Sequence, residues 1–358
     1  MSQKPFVDPA FPPVRRECPI TGKWVVINPA RSLRFKNERK GFPPAYENLP
    51  EHKENCPFCL GNEEQTPPEL FRIPAEKELW RLRVTDNMYP IFTLEATGEG
   101  GARGASRILV PTPKHNECLS ALTLGDITNL FDGFLNSYTN LREARNKDMG
   151  EKLFPSGQCI PFINYGREAG ASLEHLHAQF SVSAVVSTRL RNLQSRTHKH
   201  WLYESRCLIC EVIGRDVAEG RLVADDNYFV AAVPYAASVP WHVRIFPKEH
   251  TSSFASDLAV GARSYALAKL LRDILRRIKF SLQRPQDALV LAGDPPYNFI
   301  ISTSRFDGDH DSGSFHWFCD IVPRTTKPAG LEWATDEDVN PNLPESDAEI
   351  LRNARVES

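Results

Sequence analysis

The chain has 358 residues, enough for two domains with a core each, and at 41% hydrophobic and 25% charged it is ordinary globular material. A formal net charge of −2 supplies no long-range attraction to nucleic acid or an anionic membrane, so an anionic substrate has to be held by local groups. No apolar run approaches the ~18 residues that cross a bilayer, and residues 1–6 lack the apolar stretch of a secretion signal. A cytoplasmic protein with neither a nucleic-acid nor a membrane partner is expected.

In chain order, the first marker is Cys56-Pro-Phe-Cys59. Residues 107–112 then read as a strand running into Lys114 and His115. A helix follows, because Ile127, Leu130, Phe131, Phe134, Leu135, Tyr138 and Leu141 recur at helical spacing behind Thr123 and Asp126. A strand pair, 158–164 and 175–182, closes the first half. The polar stretch 186–200 reads as a connection, with His198 and His200 solvent-exposed. The boundary is placed near residue 190, giving domains 1–190 and 191–358.

The second half repeats the order. Cys207-Leu-Ile-Cys210 is followed by a strand at 242–248 and by His250. Leu267, Leu270, Leu271, Ile274, Leu275 and Ile278 mark a helix whose other face, Arg272, Arg276, Arg277 and Lys279, reads as solvated. Strands at 297–303 and 315–322 follow. Beyond about residue 336 the acidic, proline-bearing end reads as a surface segment with a short helix. Each half is thus an antiparallel sheet crossed by one long helix, and the fold class is α+β with two tandem repeats.

Of the eight cysteines, four stand in Cys-x-x-Cys pairs, and reduced thiolates on metal fit a chain without an export signal better than disulfides do. Cys18, Cys118, Cys159 and Cys319 read as ordinary buried thiols. Each half offers two thiols and two imidazoles in the same order: Cys56, Cys59, His115 and His175, then Cys207, Cys210, His250 and His316. Four protein ligands close a tetrahedron, so two structural zinc sites are expected. His242 and His310 are rival ligands in the second half.

The repeats differ at one chemically decisive place. The first ends His175-Leu-His177-Ala-Gln179, while the second carries Phe318 two residues after His316. In a strand, residues i and i+2 face the same side, so His175 and His177 are expected as neighbours on one face with Gln179 continuing the row, and a metal on His175 fixes the strand beneath His177. A neutral imidazole whose Nδ1–H is held by a carbonyl offers Nε2 as a nucleophile toward phosphorus. Asn164, Gly166, Gly170 and Ser172 crowd the preceding turn, which suits close approach of a phosphate. Gln179 cannot titrate, so the site suits a leaving group that needs no proton and a covalent intermediate that waits for its acceptor.

These residues resemble the galactose-1-phosphate uridylyltransferase family, the transferase branch of the histidine-triad superfamily. The resemblance runs from about residue 14 to 333. It is carried by Asn-Pro-Ala-Arg31, Cys-Pro-Phe-Cys59-Leu-Gly-Asn with Thr-Pro-Pro-Glu69, Asp-Asn87-Met-Tyr-Pro, Gly-Ala-Ser172-Leu-Glu-His175-Leu-His177-Ala-Gln179, and Lys327-Pro-Ala-Gly-Leu-Glu332-Trp. It implies double displacement: His177 attacks the α-phosphorus of a UDP-sugar, expels the sugar 1-phosphate, and a second sugar 1-phosphate takes the uridylyl group. On this likeness Gln179, Ser172 and Arg31 contact phosphate, and Asn87 and Asn164 face the nucleoside and phosphates; Gly170, in the turn before His175, is a further substrate-binding candidate. Lys327 and Glu332 lie near the sugar. It also implies a homodimer, with the second half lending residues to the pocket. Leu176 stands where the family usually has proline, Leu331 where it tends to have an aromatic, and Asp336 and Asp338 where it has small residues.

Two other readings remain open at this point. An ADP-sugar or dinucleoside-polyphosphate phosphorylase uses the same histidine with inorganic phosphate as acceptor, and needs no sugar pocket. A catalytically inactive zinc-stabilised nucleotide-binding protein is the other, against which the intact His-x-His-x-Gln speaks.

Overall fold

The computed structural model describes residues 12–31, 45–46, 48–74, 79–96, 100–144, 157–282, 293–306 and 313–356. The rival ligand His310 lies outside them. The first half contains β1 (Val14–Glu17), β2 (Trp24–Ile27), β3 (Glu69–Ile73), β4 (Leu82–Asp86), β5 (Gly104–Val110), α1 (Leu124–Ala144), β6 (Gln158–Tyr165) and β7 (Ala178–Ser183). Then come α2 (Thr188–Glu204), α3 (Leu208–Ala218), β8 (Leu222–Asp225), β9 (Phe229–Ala232), β10 (Val243–Pro247), α4 (Phe254–Leu258) and α5 (Arg263–Leu282). The chain continues with β11 (Tyr297–Ser302), β12 (Phe318–Pro323), α6 (Gly330–Thr335), β13 (Asp338–Asn340) and α7 (Pro344–Asn353).

The fold is α+β, but the repeats do not keep separate sheets. They share one ten-stranded sheet in the order β3-β4-β5-β7-β6-β11-β12-β10-β9-β8. The seam is the antiparallel pair β6–β11, where Tyr165 faces Tyr297 and Asn164 faces Asn298. Each half-sheet otherwise ends in an open edge with unpaired backbone groups, and joining two such edges removes both. The order reads alike outward from the seam, so β7 matches β12 and β5 matches β10.

The long helices α1 and α5 pack on each other and cover one face of this sheet. Their apolar stripes form a shared core with Leu176, Ala178, Phe180 and Val182 from the β7 segment and Phe299, Ile301, Cys319 and Ile321 from the second half. The basic side of α5 is not simply solvated. Arg272 donates to the carbonyl of Leu122 at 3.4 Å, Arg276 to that of Ser120 at 3.0 Å, and Arg277 to that of Leu351 at 2.9 Å. Charge along a helix face marked polarity correctly, but long guanidinium stems reached orphan carbonyls at the ends of neighbouring segments.

The expected connector is helical: α2 starts behind Ser187, whose hydroxyl accepts from the Leu190 amide at 3.2 Å. Residue 190 therefore falls in the first turn of a helix. His198 is exposed, whereas His200 is half-buried with its Nε2 3.4 Å from Glu211. A three-stranded sheet, β1-β2-β13, ties residues 14–27 to the far C-terminal segment, β13 running parallel to β2. Among the described residues no helix is long and apolar enough to cross a membrane.

Candidate active site

Cys56 and Cys59 lie in a tight turn closed by the Cys59 amide on the Cys56 carbonyl at 3.2 Å. Asn62 braces it, donating its side-chain amide to the same carbonyl at 2.8 Å. His115 follows the end of β5, and His175 precedes β7. The Nδ1 of His175 is 3.6 Å from both sulfurs, and that of His115 is 3.6 Å from Cys59. Four ligands at zinc distances of ~2.0–2.3 Å stand about 3.3–3.7 Å apart along the edges of a tetrahedron, so these donors fit the ion. The Nε2 of His175 lies 2.9 Å from the Thr112 carbonyl, which can only accept, leaving the Nδ1 lone pair for metal.

The second constellation repeats this. Cys207, Cys210, His250 and His316 bring one donor atom each to within 4.8 Å of one another, as do the four residues of the first. Cys210 Sγ is 3.5 Å from His250 Nδ1 and 3.3 Å from His316 Nδ1. His242, the rival ligand, is elsewhere: its Nε2 is 3.0 Å from Asp320.

His177 stands outside the first constellation, two residues on. Its Nδ1 is 2.8 Å from the carbonyl of His175. A carbonyl only accepts, so Nδ1 carries the hydrogen and Nε2 the lone pair. The ring is 4% exposed and lies 5.3 Å from the Phe58 ring. Burial lowers its pKa below the ordinary histidine value, against the raising effect of the His175 carbonyl, which keeps the imidazole neutral. A cavity of about 280 Å³ opens beside it, lined by His177, Gln179, Ser172, Asn87, Phe58 and Thr66 among others. Its rim carries exposed Met88, Tyr89 and Ile91.

The turn before His177 is built on two glycines in the left-handed region, Gly166 at φ 92° and Gly170 at φ 84°. A Cβ on Gly166 would stand 2.8 Å from Pro296 and 2.9 Å from Ala45. Asn164 sits at the end of β6, half-buried, with its side-chain oxygen accepting from Asn298 at 2.7 Å.

The structure thus brings His177, Gln179, Ser172 and Asn87 to one cavity. Arg31 is exposed and does not line it. Lys327 and Glu332 line a different cavity of about 300 Å³ with Arg324, Asp320, His242 and Lys23. Asp336 and Asp338 both face Lys23, at 3.7 and 3.0 Å, and line no part of the His177 cavity. Phe58, Thr66 and Asp86 belong to that cavity and were not singled out in the sequence, although Phe58 lies inside the Cys-x-x-Cys motif itself.

The matching place in the second repeat has been filled. Phe318 takes the position of His177 and packs with Leu190, Leu193, Cys18, Ile20 and Phe246 in a core contributed by α2 and the β1–β2 segment. Gln179 faces Ile108 across the β5–β7 pair, and at the matching register Asp320 faces Arg244. Asp320 and Arg244 are buried and joined at 2.7 Å. A carboxylate in place of the glutamine would repel a phosphate.

No protein-family model matches the chain. ADP-glucose phosphorylase of Arabidopsis thaliana is 28% identical over 359 residues, spanning 96% of this chain and 93% of the relative. Galactose-1-phosphate uridylyltransferase of Thermotoga maritima is 25% identical over 355 residues, spanning 95% and 98%. The solved structure of the Arabidopsis thaliana ADP-glucose phosphorylase with bound ADP-glucose superposes with a TM-score of 0.77 at 27% identity, covering 97% of this chain and 100% of that one. Relatives of both kinds match nearly the whole chain, so the chain is similar from end to end to ADP-glucose phosphorylase and to the galactose-1-phosphate uridylyltransferases.

Proposed function

We propose that the chain takes a nucleoside monophosphate from a nucleoside diphosphate sugar onto His177 and passes it to a second phosphate-bearing acceptor. The carrying observation is the imidazole itself: Nδ1 tied to the His175 carbonyl at 2.8 Å, Nε2 without a partner among the described residues, and a cavity alongside. Nε2 forms a bond to the α-phosphorus as the bond to the sugar 1-phosphate oxygen breaks. The acceptor oxygen then displaces the imidazole. Gln179 and Ser172 hold the phosphate oxygens without exchanging protons, and Asn87 meets the nucleoside. Zinc on Cys56, Cys59, His115 and His175 would brace the backbone just before His177, and zinc on Cys207, Cys210, His250 and His316 would brace the matching place in the other repeat.

Phosphorolysis of an ADP-sugar is the favoured version. The relative matching 96% of this chain is named ADP-glucose phosphorylase, and the segment bearing Lys327 and Glu332 lies away from the His177 cavity within one chain. Inorganic phosphate needs no sugar pocket. Uridylyl transfer between sugar 1-phosphates is the second version, supported by the uridylyltransferase that matches over 95% of this chain. It requires the 324–333 segment of a second copy to complete the cavity, so a homodimer belongs to it. The two halves act as domains meeting at the β6–β11 seam, and the setting is cytoplasmic.

Intact-mass measurement after incubation with ADP-glucose or UDP-glucose, separately, tests this. An acid-labile, base-stable adduct of one nucleoside monophosphate names the donor. No adduct from either donor would remove the covalent mechanism.

A further inference from the structure

Across the β6–β11 seam the repeat without a nucleophile touches the turn that precedes His177. Asn298 on β11 is buried and faces Asn164 on β6. Its amide nitrogen donates one hydrogen to Asn164 Oδ1 at 2.7 Å and the other to the Ala169 carbonyl at 2.9 Å. Its oxygen accepts from Arg324 Nε at 2.5 Å. A guanidinium can only donate, so Arg324 fixes which way round the Asn298 amide sits. That orientation obliges Asn164 to present its oxygen to Asn298 and leaves the Asn164 amide N–H groups without a protein partner among the described residues. The carbonyl of Ala169, between Gly166 and Gly170, is held by the same side chain.

We infer that Asn298 is a positioning residue for nucleotidyl transfer: set by Arg324, it turns the Asn164 amide so that its donors, not its acceptor, face the phosphates. This rests on the reading of Asn164 as a phosphate contact. It gives the second repeat a role in the reaction although Phe318 stands where the nucleophile would be. An asparagine facing the wrong way places a carbonyl oxygen against an anion, so the orientation carries an energetic sign and not only rigidity.

The test is the second-order rate of His177 loading from ADP-glucose and from UDP-glucose, in Asn298→Asp, Asn298→Ala, Asn164→Ala and the double variants. Asn298→Asp keeps the shape and the Arg324 contact but loses both donors. Asn164 must then flip to donate to it and turn its own oxygen on the phosphate. Loading is expected to fall about tenfold in Asn298→Ala and further in Asn298→Asp. Neither change should matter in the Asn164→Ala background. A packing role gives the opposite order, since the isosteric aspartate leaves no cavity, and that order overturns the inference. So do additive effects in the double variants, or rates within twofold of the parent. If Asn164→Ala itself loads normally, the reading of Asn164 fails instead.

Discussion

Asp320 accepts a hydrogen bond from Arg244 Nε at 2.7 Å, both side chains buried, at the register where Gln179 faces Ile108 in the other repeat. His242 and Arg189 also reach this carboxylate, at 3.0 and 3.3 Å. One repeat keeps a neutral amide in a cavity, and the other spends the position on a buried ion cluster. Burial alone would raise the Asp320 pKa, but Arg244 and His242 outweigh it and hold the carboxyl well below the usual carboxylate range.

The sign of that shift fixes a pH dependence of stability. A depressed carboxyl contributes fully above its unfolded value of about 3.9 and loses the contribution as pH falls below it toward the folded value. Asp320→Asn should therefore lower stability at neutral pH, by about 3–5 kcal/mol, because Arg244 is left buried without a counter-charge. The difference from the parent should shrink as pH drops below about 4. Denaturant titrations of both proteins at several pH values measure this, and a pH-independent difference would contradict it.

His177→Ala should abolish adduct formation, by at least about three orders of magnitude, with the metal content of the protein unchanged. The four donors of the first constellation do not include this ring. Metal analysis of the purified variant is the control: loss of one equivalent would make His177 a ligand.

Cysteine substitutions should separate the two metal sites. Cys207→Ser is expected to lower Tm by at least about 5 °C while the folded fraction still loads at near the parental rate. Cys56→Ser should affect both, since His175 carries the carbonyl that holds His177 Nδ1. Selective loss of loading in a stable Cys207 variant would place the second metal in the chemistry.

The two glycines of the turn should respond unequally. Gly166→Ala combines a φ of 92° with contacts under 3.0 Å to Pro296 and Ala45, and should cost roughly 2–3 kcal/mol and slow loading. Gly170→Ala has φ 84° but open space, so strain of about 1 kcal/mol is expected without a clash. Melting curves and loading rates of the pair check the order.

Much of this molecule could be read along the chain because its signals are local or duplicated. Helical spacing marked α1 and α5, for burial of one stripe depends on residues three and four apart. Repeating the order of cysteines and histidines marked both sets of four donor residues, and Phe318 against His177 marked the place where the repeats differ. The strand edge was another matter. Whether β6 and β11 remain edges or pair with each other depends on docking between segments more than a hundred residues apart in sequence, and no local pattern records it. The same docking makes Asn298 a neighbour of Asn164, puts Lys327 and Glu332 at a different cavity from His177, and turns the basic side of α5 toward buried carbonyls. Periodicity tells a side chain which face to occupy; only the packed chain decides what stands opposite, because that depends on contacts between segments far apart in sequence.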